Sequence, residues 1–304
     1  MRKARVRVPA STSNLGPGFD TLGLALELYN LVEMEEASRG LEVVVEGEGL
    51  EIIEMEGEEN LTYRAAQAAF AYVGHRPPGL RMRLVNDIPM EKGLGSSAAA
   101  CLGGIVAAVQ MAGARLSKGE ILRLALPFEG HPDNLVPSLV GGFTVSVVNG
   151  DQVKWVKVPF PKDLKAVTLI PALKISTIEA RQMLPRMVPF TDAAFNVGRV
   201  ALFVGALAAG QLGLLEEGAR DRLHQPYRAP LLPGMDEVLE EGYRAGARAC
   251  FLSGAGSALI ALVEGPGEEV GQRMLKTWQG QFGVPCEYRV LALDEQGLVV
   301  LKTV

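Results

Sequence analysis

The stretch PMEKGLGSSAAA, at residues 89–100, joins a predicted strand to a predicted helix. Alternating residues at 80–86 predict the strand, and the apolar, small-residue run 98–112 predicts the helix. A helix start exposes unpaired N–H groups and the positive end of the helix dipole. Gly93 and Gly95 lack a Cβ, so a ligand can approach the backbone closely at this turn. A phosphate is the natural ligand of such a site.

Spacing excludes two well-known phosphate loops. A Walker A loop places a lysine and then Ser or Thr after its last glycine, whereas Lys92 precedes the glycines here. A dinucleotide-binding fingerprint has a third glycine three positions beyond Gly95, where this chain has Ala98. Two interpretations remain open from this stretch alone: a phosphate site, or a serine-capped turn at the start of a buried helix.

The composition is that of a globular protein with an acidic balance. With 304 residues, 48% of them hydrophobic, the chain suits two domains or one large one. The net charge of −5 and the scattered Lys and Arg residues argue against nucleic acid and anionic membrane surfaces as partners. Acidic residues concentrate at 42–59, which predicts a solvated hairpin or loop.

Cysteine usage and hydropathy predict a soluble protein of a reducing compartment. Cys101, Cys250 and Cys286 form neither a disulfide nor a zinc pattern, and the first two lie in apolar runs typical of buried thiols. Residues 1–8 lack the apolar core of a signal peptide, and we expect no later run to be apolar enough to span a bilayer. A cytoplasmic location follows. Three histidines are too few for a histidine-rich metal site.

Two other stretches are dense in polar side chains. Residues 9–20, PASTSNLGPGFD, follow a predicted strand and are mostly turn residues with two apolar anchors. An ordinary surface loop is one interpretation, but anchored polar loops often carry binding sites. Residues 129–134, EGHPDN, bring four chemically capable side chains together before a helix whose first turn suits Pro132. The alternative there is a helix cap made by Asp133 or Asn134.

Periodicity and turn residues predict the remaining elements and a domain boundary at residues 159–162. Asn60 and Gly74 bound one helix, Ser117 opens another with a capping box, and residues 149–150 make a hairpin turn. The second half mixes helices with an antiparallel sheet, an α+β pattern. Its predicted helices are 176–185, 191–210, 216–223, 235–245 and 268–282, and its strands 166–170, 249–253, 258–263, 286–293 and 298–303, with a polar turn at 224–228.

Three separated motifs now resemble, in order and spacing, those of the GHMP small-molecule kinases. They are residues 9–20, the loop GLGSS at 93–97 and the turn SGAGS at 253–257. Within that superfamily the chain is most similar to the homoserine kinases, through NLGPGFD at 14–20, EGHPDN at 129–134 and HQPYR at 224–228. The resemblance covers the whole chain. It implies a nucleotide-binding domain like ribosomal protein S5 domain 2 (residues 1–160), a ferredoxin-like domain (residues 161–304) and an active site between them.

The resemblance also implies a phosphotransferase that uses ATP and Mg²⁺. Phosphoryl transfer needs positioning and charge neutralisation more than covalent chemistry. The implied ATP-binding residues are Asn60, Met90, Glu91, Lys92, Gly93, Leu94, Gly95, Ser96, Ser97, Ala98, Ala99 and Ala100. Asn60 matches a position that contacts adenine, although its sequence context alone predicts only a helix N-cap. Ser97 and Glu129 match the Mg²⁺ ligands, and one hydroxyl plus one carboxylate is a ligand set that Mg²⁺ accepts.

The implied acceptor, L-homoserine, is a zwitterion with a hydroxyl at its far end. Its site needs cations for the carboxylate and an anion for the ammonium group. Arg181 and Arg228 match the carboxylate-binding positions, and Asp20 with Asn14 the amino and hydroxyl contacts. His131 matches a further substrate contact. Each has a plainer alternative, since either arginine could be a surface charge and His131 an ordinary loop histidine.

The general base is left open by the motifs. Asp133 resembles the catalytic aspartate of related GHMP kinases. The resemblance to homoserine kinases, however, implies no clear dedicated base. Asn134 could instead position the substrate hydroxyl, which would lose its proton late in a loose transition state. The implied catalytic residues are therefore Asp133, Asn134 and His131.

Three functions remain to be compared. The first is an ATP-dependent kinase that makes O-phospho-L-homoserine for threonine synthesis, with a homodimer as a family expectation. The second is another GHMP kinase acting on mevalonate or a sugar, and the third is a catalytically silent ligand sensor of the same fold. The presence of Ser97, Glu129 and an intact glycine-serine loop argues against the sensor.

Overall fold

The structure, a computed structural model, describes residues 2–48, 57–281 and 283–302. The middle of the acidic stretch predicted as a hairpin or loop therefore lies outside the described residues, as do Phe282 and Thr303 at the ends of two predicted elements. The strands are β1 Lys3–Ser13, β2 Leu22–Ala37, β3 Gly40–Gly47, β4 Gly79–Asn86, β5 Phe143–Asn149, β6 Gln152–Val158, β7 Leu164–Pro171, β8 Ala249–Leu252, β9 Leu259–Glu264, β10 Cys286–Leu291 and β11 Val299–Leu301.

The helices lie between and against these strands. They are α1 Leu61–Val73, α2 Ser96–Ala112, α3 Lys118–Glu129, α4 Leu135–Val140, α5 Thr177–Gln182, α6 Phe190–Ala209, α7 Leu215–Gly218, α8 Gln225–Arg228, α9 Met235–Arg244 and α10 Glu268–Gln281. Short 3₁₀ turns occupy Gly57–Glu59, Leu212–Leu214 and Ala229–Leu231.

The first sheet has seven strands in the order β11-β1-β2-β4-β3, with β5 paired to β2 and to β6. All pairs are antiparallel except β3 with β4. Ala4, Val6 and Val8 of β1 are buried in alternation, as predicted. The strand continues past Pro9, however, and residues 9–13, which were predicted as loop, are all buried in it. Helix α2 lies across β1 and β2, and its small side chains are almost all buried there. The loop at residues 87–95 joins the end of β4 to the start of α2.

The second sheet has four antiparallel strands in the order β10-β7-β9-β8. Along the chain this is a β-α-β-β-α-β arrangement, as in ferredoxin-like folds. Helices α9 and α10 cover one face, where Val238, Met274 and Trp278 are fully buried. The predicted antiparallel, α+β character of this half is confirmed. The final strand, β11, instead returns to β1 in the first sheet, and Leu26 bridges to Leu293 nearby.

Most predicted helix ends are confirmed by their caps. Asn60 Oδ1 accepts a hydrogen bond from the Tyr63 N–H at 3.2 Å, and Gly74 ends α1 in the left-handed conformation. Ser117 and Glu120 form the reciprocal capping box. The hairpin turn is confirmed too, because Asn149 pairs with Gln152 across a two-residue loop.

Other local predictions were also wrong. Pro132 precedes α4 instead of lying in its first turn, and Asn134 is its N-cap residue without a capping side-chain bond. Helix α6 begins at Phe190, with Pro189 as its N-cap residue, so the predicted cap Thr191 lies inside the first turn. The Pro189 carbonyl accepts the first helical hydrogen bonds, from the N–H groups of Asp192 and Ala193. The helix predicted at 216–223 is only α7, and the turn predicted at 224–228 is helix α8.

Helix α6 also corrects the hydropathy expectation. Its 20 residues are long and apolar enough to cross a membrane by length and composition alone. One face packs inward, where the Phe203 ring meets Phe143 edge-on at 6.3 Å and Ala206 and Leu207 are buried. The other face is exposed along its length.

Candidate active site

A cavity of about 390 Å³ opens between the two sheets, at the start of α2. It brings together residues that are far apart in sequence, because the loop after β1, the loop after β4 and the segment after α3 all end there. The predicted site residues that line it are Asn14, Asp20, Glu91, Lys92, Gly93, Leu94, Gly95, Ser96, Ser97, Glu129, His131, Asp133, Asn134, Arg181 and Arg228. The remaining predicted residues, Asn60, Met90, Ala98, Ala99 and Ala100, are not among the lining residues.

The glycine-serine loop turns its carbonyl groups into the protein. The carbonyl of Lys92 accepts from the Ala258 N–H at 3.0 Å, and that of Gly93 accepts from Ser253 Oγ at 2.7 Å. The next two carbonyls along the loop are bonded in the same way, to residues 11 and 99. Within the described ranges, no backbone N–H of residues 93–97 donates to a protein atom. The loop therefore presents unpaired donors at the positive end of a 17-residue helix.

The two glycines have a second role that their sequence did not reveal. Both have left-handed backbones, with φ of 75° at Gly93 and 72° at Gly95. A Cβ at Gly93 would lie 2.0 Å from the Ser253 carbonyl oxygen, and one at Gly95 would lie 2.2 Å from Ser11 Oγ. Glycine is thus required because the loop packs directly on the protein behind it, as well as for access by a ligand.

Ser97 and Glu129 meet at the mouth of this loop. Ser97 Oγ donates a short hydrogen bond to Glu129 Oε1. Burial raises the pKa of the Glu129 carboxyl, and the bond from Ser97 opposes that rise. The two predicted metal ligands are therefore adjacent, although Ser97 lies at the start of α2 and Glu129 lies at the end of α3.

Lys92 lines the cavity, but its ammonium group is bonded to the protein. Lys92 Nζ donates to the Leu173 carbonyl at 2.7 Å. Burial and the neighbouring charge of Lys174 lower the pKa of Lys92. It contributes positive potential near the loop while fixing the loop to the segment that follows β7.

His131 and Asp133 form a close pair. His131 Nδ1 lies 2.6 Å from Asp133 Oδ1, and the Asp133 side chain is nearly fully buried. Burial alone would lower the pKa of His131, but the hydrogen bond and charge of Asp133 outweigh it, so the pKa is raised. The Asp133 carboxylate is therefore already engaged by His131. His131, Asp133 and Asp20 also place one ligand atom each within 4.8 Å of one another.

Both the oxygen and the nitrogen of the Asn134 side-chain amide are hydrogen-bonded within the protein. Its Oδ1 accepts from Ser11 Oγ at 3.0 Å, and its Nδ2 donates to Ser13 Oγ at 3.1 Å. This explains why Asn134 does not cap α4, since its side chain turns toward β1 instead. The same β1 hydroxyl, Ser11 Oγ, also accepts from Ser138 Oγ at 3.0 Å.

Asp20 and Arg181 form an ion pair across the cavity, with Arg181 Nη2 donating to Asp20 Oδ1 at 2.7 Å. Asn14 Oδ1 accepts from the Asp20 N–H at 3.0 Å, and Asn14 Nδ2 donates to the Gly254 carbonyl at 3.0 Å. Asn14, Leu15 and Asp20 all have positive φ, an uncommon backbone for residues with a side chain. The predicted substrate contact Asn14 thus holds this strained loop in shape.

Arg228 is buried beside that loop, with 3% of its surface exposed. Its Nη1 donates to the Gly254 carbonyl at 2.9 Å and lies 3.3 Å from His224 Nδ1. The guanidinium also lies over the Phe19 ring, 5.3 Å from its centroid. Burial and the charge of Arg181 lower the pKa of Arg228 to about 10. Two cations therefore converge on one end of the cavity.

The turn at residues 253–257 joins the two ends of the site. Ser253 supports the phosphate-loop carbonyl of Gly93, while the Gly254 carbonyl binds both Asn14 and Arg228. The sequence left open whether this turn covers the substrate or supports the loop. Its contacts hold both the glycine-serine loop and the side chains of Asn14 and Arg228.

Sequence reasoning assigned no role to three side chains behind Asp20 and Arg228: Asn196, Asp221 and His224, although His224 lies in the HQPYR motif. None lines the cavity, yet each bonds to a segment that does. Asn196 lies within an apolar run and Asp221 lies among arginines, so both look like ordinary helix and surface residues in the sequence. The one available signal for Asp221 was its position three residues before HQPYR, where a carboxylate can accept hydrogen bonds from the start of a following helix.

Comparison with known proteins agrees with this geometry. Residues 60–142 match the family model "GHMP kinases N terminal domain", and residues 203–280 match "GHMP kinases C terminal". The homoserine kinase of Moorella thermoacetica is 45% identical over 296 residues, which is 97% of this chain and 99% of that protein. The homoserine kinase of Aquifex aeolicus is 40% identical over 296 residues, again 97% and 99%. A crystal structure of homoserine kinase from Cytophaga hutchinsonii has a TM-score of 0.90 at 28% identity and covers 99% of this chain and 98% of that one.

The two-domain fold and both family models are those of the GHMP kinases, so the chain is an ATP-dependent kinase with an alcohol acceptor. Within that superfamily it belongs to the homoserine kinase family. The mevalonate, sugar and silent-sensor alternatives are not favoured by these relatives.

Proposed function

We propose that this chain transfers the γ-phosphoryl group of ATP to the side-chain hydroxyl of L-homoserine, giving O-phospho-L-homoserine and ADP in threonine synthesis. One observation carries the proposal. The cavity holds a helix-start loop with unpaired N–H donors at one end, and a carboxylate with two arginines at the other. The first end suits a polyphosphate, and the second suits a zwitterionic amino acid.

At the nucleotide end, the backbone N–H groups of residues 93–97 would bind phosphate oxygens. Their carbonyls are already held by the protein, so the donors are preorganised and no loop rearrangement is needed. The Asn60 side chain lies at the start of α1, where its oxygen accepts from Tyr63 N–H and its amide N–H groups make no bond within the described residues. An adenine contact through that amide is part of the proposal.

Ser97 and Glu129 fit a Mg²⁺ ion. Their oxygens already converge, and a neutral hydroxyl with one carboxylate leaves positions for water and phosphate oxygens. When bound, Mg²⁺ would neutralise charge on the transferring phosphoryl group. Burial raises the pKa of the Glu129 carboxyl, and a bound cation would favour its charged form.

At the acceptor end, a zwitterion can replace the ion pair that Asp20 and Arg181 make with each other. The substrate ammonium would bind Asp20, and its carboxylate would bind Arg181 and Arg228. His131 is a further substrate contact in this proposal. Every charge at this end then stays paired, whereas mevalonate, which has no ammonium group, would leave Asp20 without a partner. This asymmetry supports an amino acid over the acceptors of related kinases.

We assign no dedicated general base. Asp133 is bonded to His131, and Asn134 is bonded to Ser11 and Ser13. Both residues would instead shape the site in which the hydroxyl approaches the phosphoryl group. A loose transition state needs little early proton removal, so a positioned hydroxyl suffices.

An ADP-release assay with a panel of alcohols tests the proposed function. L-homoserine should be phosphorylated efficiently, while mevalonate and sugars should react poorly. D-homoserine is the matched control, because it has the same atoms but cannot satisfy Asp20 and both arginines with its hydroxyl in place. A response to mevalonate or a sugar without a response to L-homoserine would contradict the proposal.

We also propose a cytoplasmic homodimer without nucleic-acid or membrane partners. The exposed face of α6 supports the dimer, since it carries large apolar side chains: Phe190 is 86% exposed and Val197 is 68% exposed. Gly198 and Gly205 lie along the helix with nothing within 4 Å of an added Cβ, so a second helix could approach closely.

A further inference from the structure

Behind the acceptor end, a buried carboxylate and a buried amide link two segments that carry acceptor contacts. We infer that Asp221 and Asn196, here called the clasp, are positioning residues that hold Asp20 and Arg228 in the geometry for binding the acceptor. This inference rests on the proposed function, because it concerns the amino-acid end of that same site. Neither residue lines the cavity, so any effect on the acceptor must pass through the groups they hold.

Asp221 accepts hydrogen bonds through both of its carboxylate oxygens. Oδ2 accepts from the backbone N–H groups of His224 at 3.0 Å and Gln225 at 2.7 Å, at the start of α8. Oδ1 accepts from the Leu223 N–H at 2.9 Å and from Asn196 Nδ2 at 2.7 Å. Since the carboxylate is buried, these four donors replace its hydration. Asp221 thereby fixes the start of the short helix that carries Arg228.

Asn196 extends this arrangement to the strained loop at residues 14–20. Its Nδ2 donates to Asp221 Oδ1 and also to the Pro17 carbonyl at 3.2 Å, while its Oδ1 accepts from the Arg222 N–H at 2.9 Å. Asn196 is only 3% exposed although it lies in the apolar helix α6. A buried amide with all three contacts satisfied specifies one arrangement of the groups around it.

Two more contacts seat the loop on the same segment. His224 Nε2 donates to the Gly16 carbonyl at 2.7 Å, since a carbonyl oxygen can only accept. Burial lowers the pKa of His224, which favours its neutral form. A Cβ at Gly16 would lie 2.2 Å from the Ala219 carbonyl oxygen, so the backbones touch. The loop at residues 14–20 is therefore held against residues 219–228 by these contacts together with the clasp.

The nucleotide end is held by different groups. The carbonyls of the glycine-serine loop are bonded to residues 11, 99, 253 and 258, none of which the clasp touches. Loss of the clasp should therefore act on the acceptor and spare ATP. Loss of a residue needed only for folding would weaken the binding of both substrates alike. A positioning role and a purely structural role therefore predict different changes in the two KM values.

Two variants test the clasp in the intact enzyme. Asn196→Ala removes both donations and leaves Asp221 as the helix cap. Asp221→Ser keeps a hydroxyl acceptor for the start of α8 but loses the bond to Asn196, so it guards against loss of folding. Ser117→Ala is the matched control, because it removes a helix-capping hydrogen bond of α3 far from the cavity.

We expect the KM and the calorimetric Kd for L-homoserine to rise about tenfold in both clasp variants, as the loss of one or two hydrogen bonds allows. The KM for ATP should stay within about twofold of the wild-type value. Ser117→Ala should lower the melting temperature with both KM values unchanged. Parallel rises in both KM values, or no rise in folded clasp variants, would overturn the inference.

A double-mutant cycle separates positioning from general stability. If Asn196 acts through Asp20, then Asn196→Ala should cost little further acceptor affinity in an Asp20→Asn background. Full additivity of the two substitutions would contradict the inference. If the alcohol panel selects an acceptor other than L-homoserine, the proposed function fails, and the same comparisons with that acceptor still decide the role of the clasp.

Discussion

The sharpest prediction concerns Gly95, at the start of α2, compared with Gly113 at its end. Both have nearly the same left-handed backbone, with φ of 72° and 69°. A Cβ at Gly95 would lie 2.2 Å from Ser11 Oγ, well short of ordinary contact, whereas a Cβ at Gly113 would meet nothing within 4 Å. Gly113→Ala therefore measures backbone strain alone, and Gly95→Ala adds a displacement of the glycine-serine loop.

Each alanine should lower the free energy of unfolding by roughly 1–2 kcal/mol through the left-handed backbone. Only Gly95→Ala should move the N–H donors, by about 1 Å, and a misplacement of that size can cost about 100-fold in rate. We expect kcat/KM for ATP to fall about 100-fold, or about 2.7 kcal/mol in transition-state stabilisation, with the KM for L-homoserine nearly unchanged. Coupled ADP release and thermal unfolding measure both effects. Equal activity of the two variants would refute the proposal that this loop positions the phosphates.

The remaining predictions concern the other groups of the site. Glu129→Gln should lower kcat by more than about 100-fold, whereas Asp133→Asn should cost less than the roughly 100-fold expected for a general base; equal losses would restore Asp133 as the base. The raised pKa of His131 stabilises the fold fully below its unfolded value of about 6.5, and this contribution disappears as pH rises through the folded pKa. Denaturation of wild type and His131→Gln should thus differ more at acidic than at alkaline pH, and a constant difference would be contrary evidence. Val197→Glu should dissociate the proposed dimer in light scattering, while Val147→Glu, on an exposed position of β5, should leave it intact; an unchanged mass for Val197→Glu would place the interface elsewhere.

Local signals predicted the elements and much of the site. Local sequence was enough to predict the helix caps at Asn60 and Ser117 and the hairpin at Asn149, because each depends only on neighbouring residues. The glycine-serine loop was predictable for the same reason, since its turn, its serines and its helix are contiguous.

Tertiary partners could not be predicted from the chain. The role of Gly95 depends on Ser11, which is distant in sequence, and the roles of Asn14 and Asn134 depend on which groups take their amides. The return of β11 to the first sheet is a pairing of three residues, too short for any periodic signal. The division into domains at residues 160 and 161 remains a prediction.

The clasp illustrates why support residues escape sequence reasoning. Asn196 appears as one polar residue within an apolar helix, and Asp221 appears as one charge among several. Their importance comes from burial and from four donors converging on one carboxylate, which only the folded chain brings together. Motifs show the side chains that touch ligands more readily than the side chains that hold those motifs in place.

The central claim is transfer of a phosphoryl group from ATP to an amino-acid hydroxyl in this cavity. The most direct measurement is to incubate the enzyme with L-homoserine, Mg²⁺ and ATP labelled in its γ-phosphoryl group, and to identify the labelled product by mass spectrometry and phosphorus NMR. The account predicts that the label appears on the side-chain oxygen of L-homoserine, in a one-to-one ratio with ADP. Label found only in inorganic phosphate, or on no acceptor, would contradict it.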